Sequence, residues 1–309
     1  MQIGILESQD FSDKAINELK LLGHVSFYEN GNISDFIKDK KIIFVRLKYF
    51  LGKDLLENAI NLKYICTPTT GLNHLDLNYL KHKNIKVVSL KGESKFLTDI
   101  RATPEHTFGL ILSLLRNYKN AFSSSKKLLN RDLYKGNEIF QNSIGIIGFG
   151  RVGTLLAKYI EVFGGNSFFY DTDNTKKEIH KSKKIGSIEE LISKCNIICL
   201  CASYELSNHE FFDKKYIDLL KDKYFINTSR GELVDELYLI KKIKSNFFKG
   251  VAIDVFQNES MQENNLDKLY SINENLNFIM TPHISGATYT SMARTEEFIT
   301  KKIVRLFSK

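Results

Sequence analysis

The sequence predicts an α/β protein with two doubly wound units, each built on a parallel sheet. Short apolar runs alternate with helical patterns over residues 1–117, and the same alternation returns from residue 144 to residue 280. Strands that alternate with helices form parallel sheets, because each helix carries the chain back to the start of the next strand. A glycine-rich phosphate-binding pattern occurs in the second series and not in the first, so we expect the two units to have different tasks.

In the first series, five strands are predicted with helices between them. The strands are Gln2–Leu6, His24–Phe27, Ile42–Val45, Tyr64–Cys66 and Lys86–Ser89. The helices are Ser12–Leu22, Ser34–Lys38, Lys53–Ala59 and Leu77–His82. A longer helical segment follows from Pro104 to about Leu129, with the proline in its first turn, where a missing N–H is tolerated. We interpret this segment as the connection between the two domains.

The second series opens with a buried strand, a glycine turn and a helix. After Ile144–Ile147, the residues Gly148, Gly150 and Gly153 have the spacing of a dinucleotide fingerprint. The first glycine allows a tight turn, the second lets the backbone approach a pyrophosphate, and the third lets the helix pack on the strand. A pyrophosphate would lie at the helix N-terminus, where N–H groups lack partners. The pattern predicts a Rossmann-like nucleotide domain.

An acid follows the next predicted strand. Ser167–Tyr170 ends in Asp171, which lies 18 residues after Gly153 (171 − 153). An acid near this position binds the ribose hydroxyls of NAD and repels the 2′-phosphate of NADP. Two alternatives stay open: Asp171 only ends a strand, or the lysines between positions 176 and 184 bind a 2′-phosphate. We favour NAD, with these lysines on a solvated face.

Three residues that can carry chemistry follow the later strands. Arg230 follows the strand that ends at residue 227, Glu259 comes after the strand that ends at residue 253, and His283 follows Pro282. An arginine can hold a carboxylate, a carboxylate can orient an imidazole, and a histidine can move a proton. Because arginine and glutamate usually lie on the surface, a solvent-exposed role stays open for both.

Two features of the first series suggest a substrate. Arg46 and Lys48 follow the predicted strand Ile42–Val45, and ligands of open α/β sheets bind at such carboxyl ends. The loop that contains Thr69, Thr70 and Gly71 can offer backbone N–H groups to a carboxylate. The alternatives are two surface cations and an ordinary strand-to-helix turn.

The composition is that of an ordinary globular chain. Its net charge of +8 comes from 44 basic and 36 acidic residues that are mixed along the 309 positions, which suits a small anionic substrate. No nucleic-acid motif is recognised, so we expect no nucleic-acid partner. No signal peptide and no membrane helix is recognised, so we expect a cytoplasmic protein without a membrane partner. We interpret the four cysteines as buried reduced thiols and expect no metal site; they are Cys66, Cys195, Cys199 and Cys201.

Four motifs, in this order, resemble the D-isomer-specific 2-hydroxyacid dehydrogenases, which include D-lactate and D-3-phosphoglycerate dehydrogenases and glyoxylate/hydroxypyruvate reductases. The motifs are Gly145–Gly153, Ile226–Asp235, Gly250–Glu259 and Thr281–Gly286. Matches at Thr70–Asp76 and Thr103–Asn117 extend the resemblance over most of the chain. It implies NAD-dependent hydride transfer at C2 of a D-2-hydroxy acid or 2-keto acid, in a cleft between the two domains.

The resemblance also implies catalytic roles. Arg230 would bind the substrate carboxylate and polarise the keto oxygen, and His283 would be the acid/base on the hydroxyl. Glu259 would pair with His283 and favour its protonated form. The loop Thr69–Gly71 would bind the substrate carboxylate, and Arg46, which its position after a strand and not the resemblance indicates, would join it in substrate binding.

For the cofactor, the resemblance implies two sets of contacts. Arg151 and Val152 would lie against the pyrophosphate through backbone groups. Thr228 would also contact the cofactor, and Asp254 would hold the nicotinamide carboxamide.

The family further implies a substrate-binding domain of residues 1–117 plus 287–309 and an NAD-binding domain of residues 118–286. Phe298–Phe307 would pack on the first domain, and residues from about 105 to 135 resemble the part that forms a homodimer. A different class stays open, a non-catalytic NAD-sensing protein that resembles the family's corepressors. The presence of Arg230, Glu259 and His283 favours an enzyme, and Glu259 argues against the formate dehydrogenase branch.

Overall fold

The structure is a computed structural model that describes residues 1–123, 130–261 and 263–307, and it confirms the predicted α/β class with two parallel sheets. The strands are β1 (Gln2–Ile5), β2 (His24–Phe27), β3 (Ile42–Phe44), β4 (Tyr64–Cys66), β5 (Lys86–Val88), β6 (Ser143–Ile147), β7 (Asn166–Tyr170), β8 (Lys183–Lys184), β9 (Ile197–Leu200), β10 (Tyr224–Asn227), β11 (Gly250–Ile253) and β12 (Phe278–Met280).

The helices alternate with these strands along the chain. They are α1 (Asp13–Lys20), α2 (Ile33–Ile37), α3 (Lys53–Leu56), α4 (Leu77–His82), α5 (Ser94–Leu97), α6 (Ala102–Leu115), α7 (Tyr118–Phe122), α8 (Arg151–Val162), α9 (Ile188–Lys194), α10 (Lys214–Asp218), α11 (Glu236–Lys244), α12 (Leu266–Tyr270) and α13 (Tyr289–Phe307). Short 3₁₀ turns lie at Arg131–Tyr134, Leu206–Asn208 and Gly231–Leu233. None of the described helices combines the length and the hydropathy that crossing a membrane requires.

The chain divides into two compact units. Unit 1 comprises Met1–Asp99, Glu259–Gln262 and Ala287–Lys309, and unit 2 comprises Ile100–Asn258 and Glu263–Gly286. The first boundary lies before α6 rather than at residue 117, because α6 packs on α8, β10, β11 and β12. The assignment of substrate and cofactor domains to residues 1–117 plus 287–309 and to 118–286 stays a prediction.

Unit 1 contains a five-stranded parallel sheet in the order β2-β1-β3-β4-β5. Every residue of β3 is buried, because the sheet is covered on both faces and its inner strands are therefore apolar throughout. Helix α13 packs on α1, β4 and β5. The strand order reverses between β1 and β3, so the loops after these two strands flank the crevice where such sheets bind ligands.

Unit 2 contains a seven-stranded parallel sheet in the order β12-β11-β10-β9-β6-β7-β8. Strand β6 lies between β7 and β9, and this reversal is the switch point of a Rossmann-like sheet. The rings of Phe149 and Phe169 stack at 3.7 Å beside it. The glycine turn therefore follows the strand at which nucleotides bind in this topology.

The prediction of one continuous helix from Pro104 to about Leu129 is wrong, because its described part forms two helices, α6 and α7. Helix α6 begins at Ala102, which places Pro104 in the first turn as predicted, and it ends at Leu115. Asn117 has a φ of 52°, a left-handed conformation that asparagine tolerates better than most residues, and α7 begins after it. The remainder of the prediction, residues 124–129, lies outside the described residues.

Candidate functional site

The three glycines of the turn after β6 differ in what a Cβ on each would contact. Gly148 has a φ of +94°, and a Cβ on it would lie 2.6 Å from the backbone of Ala202. A Cβ on Gly153 would lie 2.3 Å from the carbonyl oxygen of Gly148. A Cβ on Gly150 would have no protein atom within 4 Å. Gly148 and Gly153 thus serve the packing of the turn, and Gly150 presents bare backbone to open space.

The start of α8 suits an anion. Its N-cap is Gly150, which has no side chain to bind the N–H groups of the first turn, where Arg151 and Val152 lie. The guanidinium of Arg151 points elsewhere, since Nη1 donates to the carbonyl oxygen of Ile100 at 2.6 Å. Burial lowers the pKa of Arg151. Only the backbone of Arg151 is then left to face the turn, and its contact with a pyrophosphate stays a prediction.

Asp171 lies beside the same turn. Its Oδ2 accepts from the backbone N–H of Phe149 at 2.6 Å, and its Oδ1 accepts from the backbone N–H of Asp173 at 2.8 Å. A carboxylate has about four lone-pair positions, so both oxygens can accept further hydrogen bonds. These residues fit a dinucleotide: N–H groups for a pyrophosphate, bare backbone at Gly150, and a carboxylate for ribose hydroxyls.

Three of the five lysines that could bind a 2′-phosphate have partners of their own. Lys176 lies 3.7 Å from Asp173, and Lys181 lies 3.6 Å from Glu161. The ammonium of Lys184 donates to the carbonyl oxygen of Asn174 at 3.1 Å. With Asp171 next to the turn, this arrangement favours NAD.

The loop that carries Arg230 is fixed from several sides. The Asn227 side chain accepts from the N–H of Ser229 at 3.0 Å and donates to the carbonyl oxygen of Arg230 at 3.0 Å. Arg230 is half-buried, and its Nη1 donates to the carbonyl oxygen of Ser229 at 2.6 Å. A Cβ on Gly231 would lie 2.0 Å from the carbonyl carbon of Phe256, so the loops after β10 and β11 touch through bare backbone.

Thr228, predicted to bind the cofactor, has a buried hydroxyl. It lies 2.7 Å from the hydroxyl of Thr107, which itself donates to the carbonyl oxygen of Thr103 at 2.8 Å. Thr228 is therefore the donor of this pair, and its hydroxyl fastens the loop after β10 to α6. A contact between Thr228 and the cofactor stays a prediction.

His283 lies at the carboxyl end of β12 in a left-handed conformation, with a φ of 52°. Such a conformation is uncommon outside glycine, although asparagine, aspartate and histidine adopt it more often than other residues. The backbone N–H of His283 donates to the carbonyl oxygens of Asp254 at 2.9 Å and Thr281 at 3.0 Å. The imidazole is half-buried.

Asp254, with 0% of its surface exposed, organises this loop. Its Oδ1 accepts from the hydroxyl of Thr281 at 2.5 Å and from the N–H of Ile284 at 2.9 Å, and its Oδ2 accepts from the N–H of Ser285 at 2.8 Å. Burial raises the pKa of Asp254, but hydrogen bonds from His106, Thr281 and these two N–H groups outweigh it. The net pKa lies below the usual 3.8. The predicted contact with the nicotinamide carboxamide stays a prediction.

His106 belongs to the same network, although no sequence pattern assigns it a functional role. Its Nε2 lies 3.2 Å from the Thr281 hydroxyl and 3.5 Å from Oδ1 of Asp254. The two strands and the helix involved lie far apart in sequence, so no local pattern could have revealed the contact.

Glu259 is half-buried in the turn after β11 and groups with unit 1. The turn before it is held by Glu236, a residue with 4% exposure whose carboxylate accepts from the N–H of Gln257 at 2.8 Å and from the side chain of Asn265 at 2.8 Å. The pairing of Glu259 with His283 stays a prediction.

In unit 1, Arg46 is tied to the C-terminal helix. Its Nε and Nη2 donate to Oε1 of Glu296 at 3.0 and 2.5 Å, and its Nη1 donates to the carbonyl oxygen of Gln9 at 3.1 Å. Glu296 has 0% exposure and also accepts from the N–H of Ser12 at 2.8 Å. Glu7 accepts from the backbone N–H groups of Arg46 at 2.6 Å and Lys48 at 3.2 Å. The crevice between β1 and β3 therefore already contains carboxylates of the chain.

The loop after β4 holds its own shape. The Thr69 hydroxyl lies 2.9 Å from that of Thr67 and donates to the carbonyl oxygen of Gly71 at 2.8 Å. Thr70 is exposed, and Gly71 is half-buried. The exposed backbone at Thr70 is compatible with the predicted substrate binding, which stays a prediction.

The four cysteines are free thiols. Three are buried, and Cys201 is half-buried beside the glycine turn. Burial raises the pKa of Cys195 and of Cys201 to about 12, so both are protonated at neutral pH. Among the described residues, no group of three or more histidine, cysteine or acidic side chains could hold a metal ion.

Comparisons with known proteins agree with this geometry. Residues 108–285 match the family model described as D-isomer specific 2-hydroxyacid dehydrogenase, NAD binding domain. A protein of Staphylococcus saprophyticus, provisionally named a 2-hydroxyacid dehydrogenase, is 29% identical over 296 residues, which are 89% of this chain and 87% of the relative. A protein of Staphylococcus haemolyticus with the same provisional name is 28% identical over 94% of this chain and 92% of its own length.

Two solved structures are also similar. D-lactate dehydrogenase from Aquifex aeolicus, complexed with NAD and lactic acid, has a TM-score of 0.83 at 27% identity and covers 99% of this chain and 95% of its own. NAD-dependent formate dehydrogenase from Staphylococcus aureus, in complex with NAD, has a TM-score of 0.83 at 26% identity and covers 99% and 96%.

Proposed function

Because the chain belongs to the D-isomer specific 2-hydroxyacid dehydrogenase family, and is thus an NAD-dependent oxidoreductase, we propose that it transfers a hydride at C2 of a small D-2-hydroxy acid or 2-keto acid. One observation carries the proposal. Arg230 and His283 follow β10 and β12 at one edge of the unit 2 sheet, and Asp254, which follows the strand between them, binds both loops. Its backbone N–H donates to the carbonyl oxygen of Asn227 at 2.9 Å, and its carboxylate holds the residues around His283.

Each residue has one task in the proposed reaction. When bound, NAD supplies the nicotinamide that donates or accepts the hydride. Arg230 binds the substrate carboxylate, where a planar guanidinium gives two parallel hydrogen bonds. In reduction, His283 donates a proton to the oxygen on C2, and in oxidation it removes that proton. Glu259 favours the protonated imidazole.

The remaining contacts divide between cofactor and substrate. Gly148, Gly150, Arg151, Val152 and Gly153 form the pyrophosphate turn. Asp171 binds the adenosine ribose, and Thr228 and Asp254 lie on the nicotinamide side. Thr69, Thr70 and Gly71 bind the substrate carboxylate through backbone N–H groups.

The substrate in this proposal has no phosphate group. Arg46 is the best candidate for a phosphate contact, but its charge is balanced by Glu296, and Glu7 occupies the neighbouring N–H groups. A phosphate dianion there would approach two carboxylates. Arg46 uses three of the five guanidinium N–H groups in the chain's own bonds, so it can still donate to a neutral or singly charged substrate group.

A panel of 2-keto acids, with and without phosphate, tests this function with NADH and NADPH. We expect NADH-dependent reduction of unphosphorylated members. His283→Ala should abolish turnover while NADH still binds, measured by fluorescence titration. His82→Ala, on the exposed face of α4, is the matched control and should retain wild-type turnover. A wild type that binds NADH but reduces no member would instead support a corepressor-like NAD sensor.

The proposal includes a cytoplasmic homodimer. The family resemblance of residues from about 105 to 135 supports it, and Phe122 of α7 has 79% of its surface exposed, as an apolar contact residue of an isolated protomer would. Sedimentation equilibrium should give twice the chain mass of 35.6 kDa. Phe122→Glu should shift the mass toward that of one chain.

A further inference from the structure

The backbone around His283 is fixed by hydrogen bonds on both sides of the residue. Its φ of 52° lies in the left-handed region, which histidine adopts more often than most non-glycine residues, and this backbone decides where the imidazole points. Two of its neighbours supply backbone N–H groups to one side chain: Ile284 and Ser285 donate to the two carboxylate oxygens of Asp254. Backbone carbonyls hold the N–H of His283 itself, and the Asp254 carboxylate holds the two residues that follow it, so the conformation of His283 depends in part on where this carboxylate is held.

The hydrogen-bond directions around Thr281 identify what holds that carboxylate. Asp254 is an acceptor only, so Thr281 gives it the single hydroxyl proton at 2.5 Å. The Thr281 oxygen can then only accept from His106, whose Nε2 lies 3.2 Å away. Nε2 of His106 therefore carries a proton. It lies 3.5 Å from Oδ1 of Asp254 as well, so one N–H serves both acceptors.

The helix that carries His106 is fastened on both sides. Thr107, the next residue, binds the hydroxyl of Thr228 at 2.7 Å in the loop that carries Arg230. At the start of the same segment, Ile100 accepts from Arg151 of the glycine turn at 2.6 Å. Helix α6 is therefore anchored to the rest of unit 2 on both sides of His106. This anchoring holds the His106 ring in a fixed position.

We propose that His106 is a positioning residue of the reaction: its Nε2–H holds Thr281 and Asp254, and through them it fixes the left-handed backbone of His283. The inference rests on the proposed function, because it takes His283 as the acid/base. His106 itself contacts neither substrate nor cofactor in this role. It acts as a hydrogen-bond donor, so a neutral donor of similar reach should replace it.

The test compares His106→Leu, which removes the donor, with His106→Gln, which retains an N–H. In His106→Leu, kcat should fall about 10- to 100-fold, since small displacements of a catalytic group have effects of this size. KM for the 2-keto acid should change less than about threefold. The solvent deuterium isotope effect on kcat should increase, because proton transfer becomes slower. His106→Gln should recover most of kcat. Thr281→Val should behave as His106→Leu does, and Thr281→Ser as the wild type does.

Amide hydrogen exchange gives a measurement that needs no turnover. Peptides that contain Ile284 and Ser285 should exchange faster in His106→Leu than in the wild type or His106→Gln, while peptides of β9 stay unchanged. If the wild type reduces no 2-keto acid, the proposed function fails, and exchange still decides the role of His106. Unchanged exchange together with unchanged kcat in His106→Leu would overturn the inference. So would a His106→Gln variant as impaired as His106→Leu.

Discussion

Asp254 in unit 2 and Glu296 in unit 1 both have no solvent-exposed surface, but different groups surround them. Asp254 is met by short donors that belong to a single loop, namely one hydroxyl and two backbone N–H groups, together with His106. Glu296 is met by one backbone N–H, that of Ser12, and by the guanidinium of Arg46. The Asp254 carboxylate holds the loop around His283, and the Glu296 carboxylate connects helix α13 to Ser12 and Arg46.

The pKa values of the two carboxylates are shifted in opposite directions. For Asp254 the hydrogen bonds outweigh burial, and the pKa is lowered. For Glu296 burial is the largest effect, and the Ser12 N–H and Arg46 compensate it only in part, so the pKa is raised. Buried ion pairs are often no better than a neutral pair, whereas several N–H donors stabilise a buried anion well. The surroundings of Asp254 therefore favour its charged form, whereas those of Glu296 shift its equilibrium toward the neutral form.

The largest predicted effect comes from Asp254→Asn. The amide group would direct an NH₂ at one of the donors, so a buried N–H or hydroxyl would lose its acceptor. We expect a loss of about 2–4 kcal/mol in the free energy of unfolding, measured by urea denaturation. Activity should fall with it, because the loop around His283 is no longer held. Glu296→Gln, measured in the same way, should lose less than half as much. Equal losses would contradict the comparison.

The parts of this picture that depend on neighbouring residues are predictable from the sequence. The glycine turn, Asp171 and the strands belong to them, because each requirement lies within about 30 residues of the chain. The Arg46–Glu296 pair joins residues 250 positions apart, and His106 meets Thr281 across 175 positions. No local pattern encodes such contacts, so the sequence indicates Arg46 only as a substrate ligand and assigns no role to His106. The break between α6 and α7 at Asn117 could not be predicted from the sequence either, because helix propensity does not indicate which residue adopts a left-handed conformation.

Gly231→Ala should have the second largest effect. Its Cβ would lie 2.0 Å from the carbonyl carbon of Phe256, and backbone cannot move aside as a side chain can. We expect about 1–3 kcal/mol of destabilisation and a lower kcat. Gly52→Ala is the counterpart in unit 1, where the Cβ would meet the ring of Phe50 at 2.8 Å rather than backbone, so it should cost less. A Gly52→Ala loss as large as that of Gly231→Ala would show that the loops of the two units are equally constrained.

Gly150→Ala should change binding and leave stability within about 0.5 kcal/mol, because its Cβ enters open space at an ordinary φ of −80°. The added methyl group should weaken NADH binding about tenfold or more, measured by fluorescence titration, since this backbone is the proposed contact of the pyrophosphate. Gly153→Ala is the control: its Cβ would lie 2.3 Å from the Gly148 oxygen, so stability should fall as well. Unchanged NADH affinity in Gly150→Ala would place the pyrophosphate elsewhere.

Glu296→Gln should give the smallest effect, and its sign should depend on pH. Because the folded-state pKa of Glu296 is raised above 4.5, its contribution to stability is fully present below that value and is lost as the pH rises through the folded pKa. The substituted amide would not titrate, so in urea denaturation the variant should gain on the wild type as the pH rises above 4.5, the ordinary pKa of the carboxyl. Asp254 is present in both proteins, so its own loss of stability at low pH cancels in the comparison. A difference between the two proteins that stays constant over this range would mean that Arg46, rather than burial, decides the charge of Glu296.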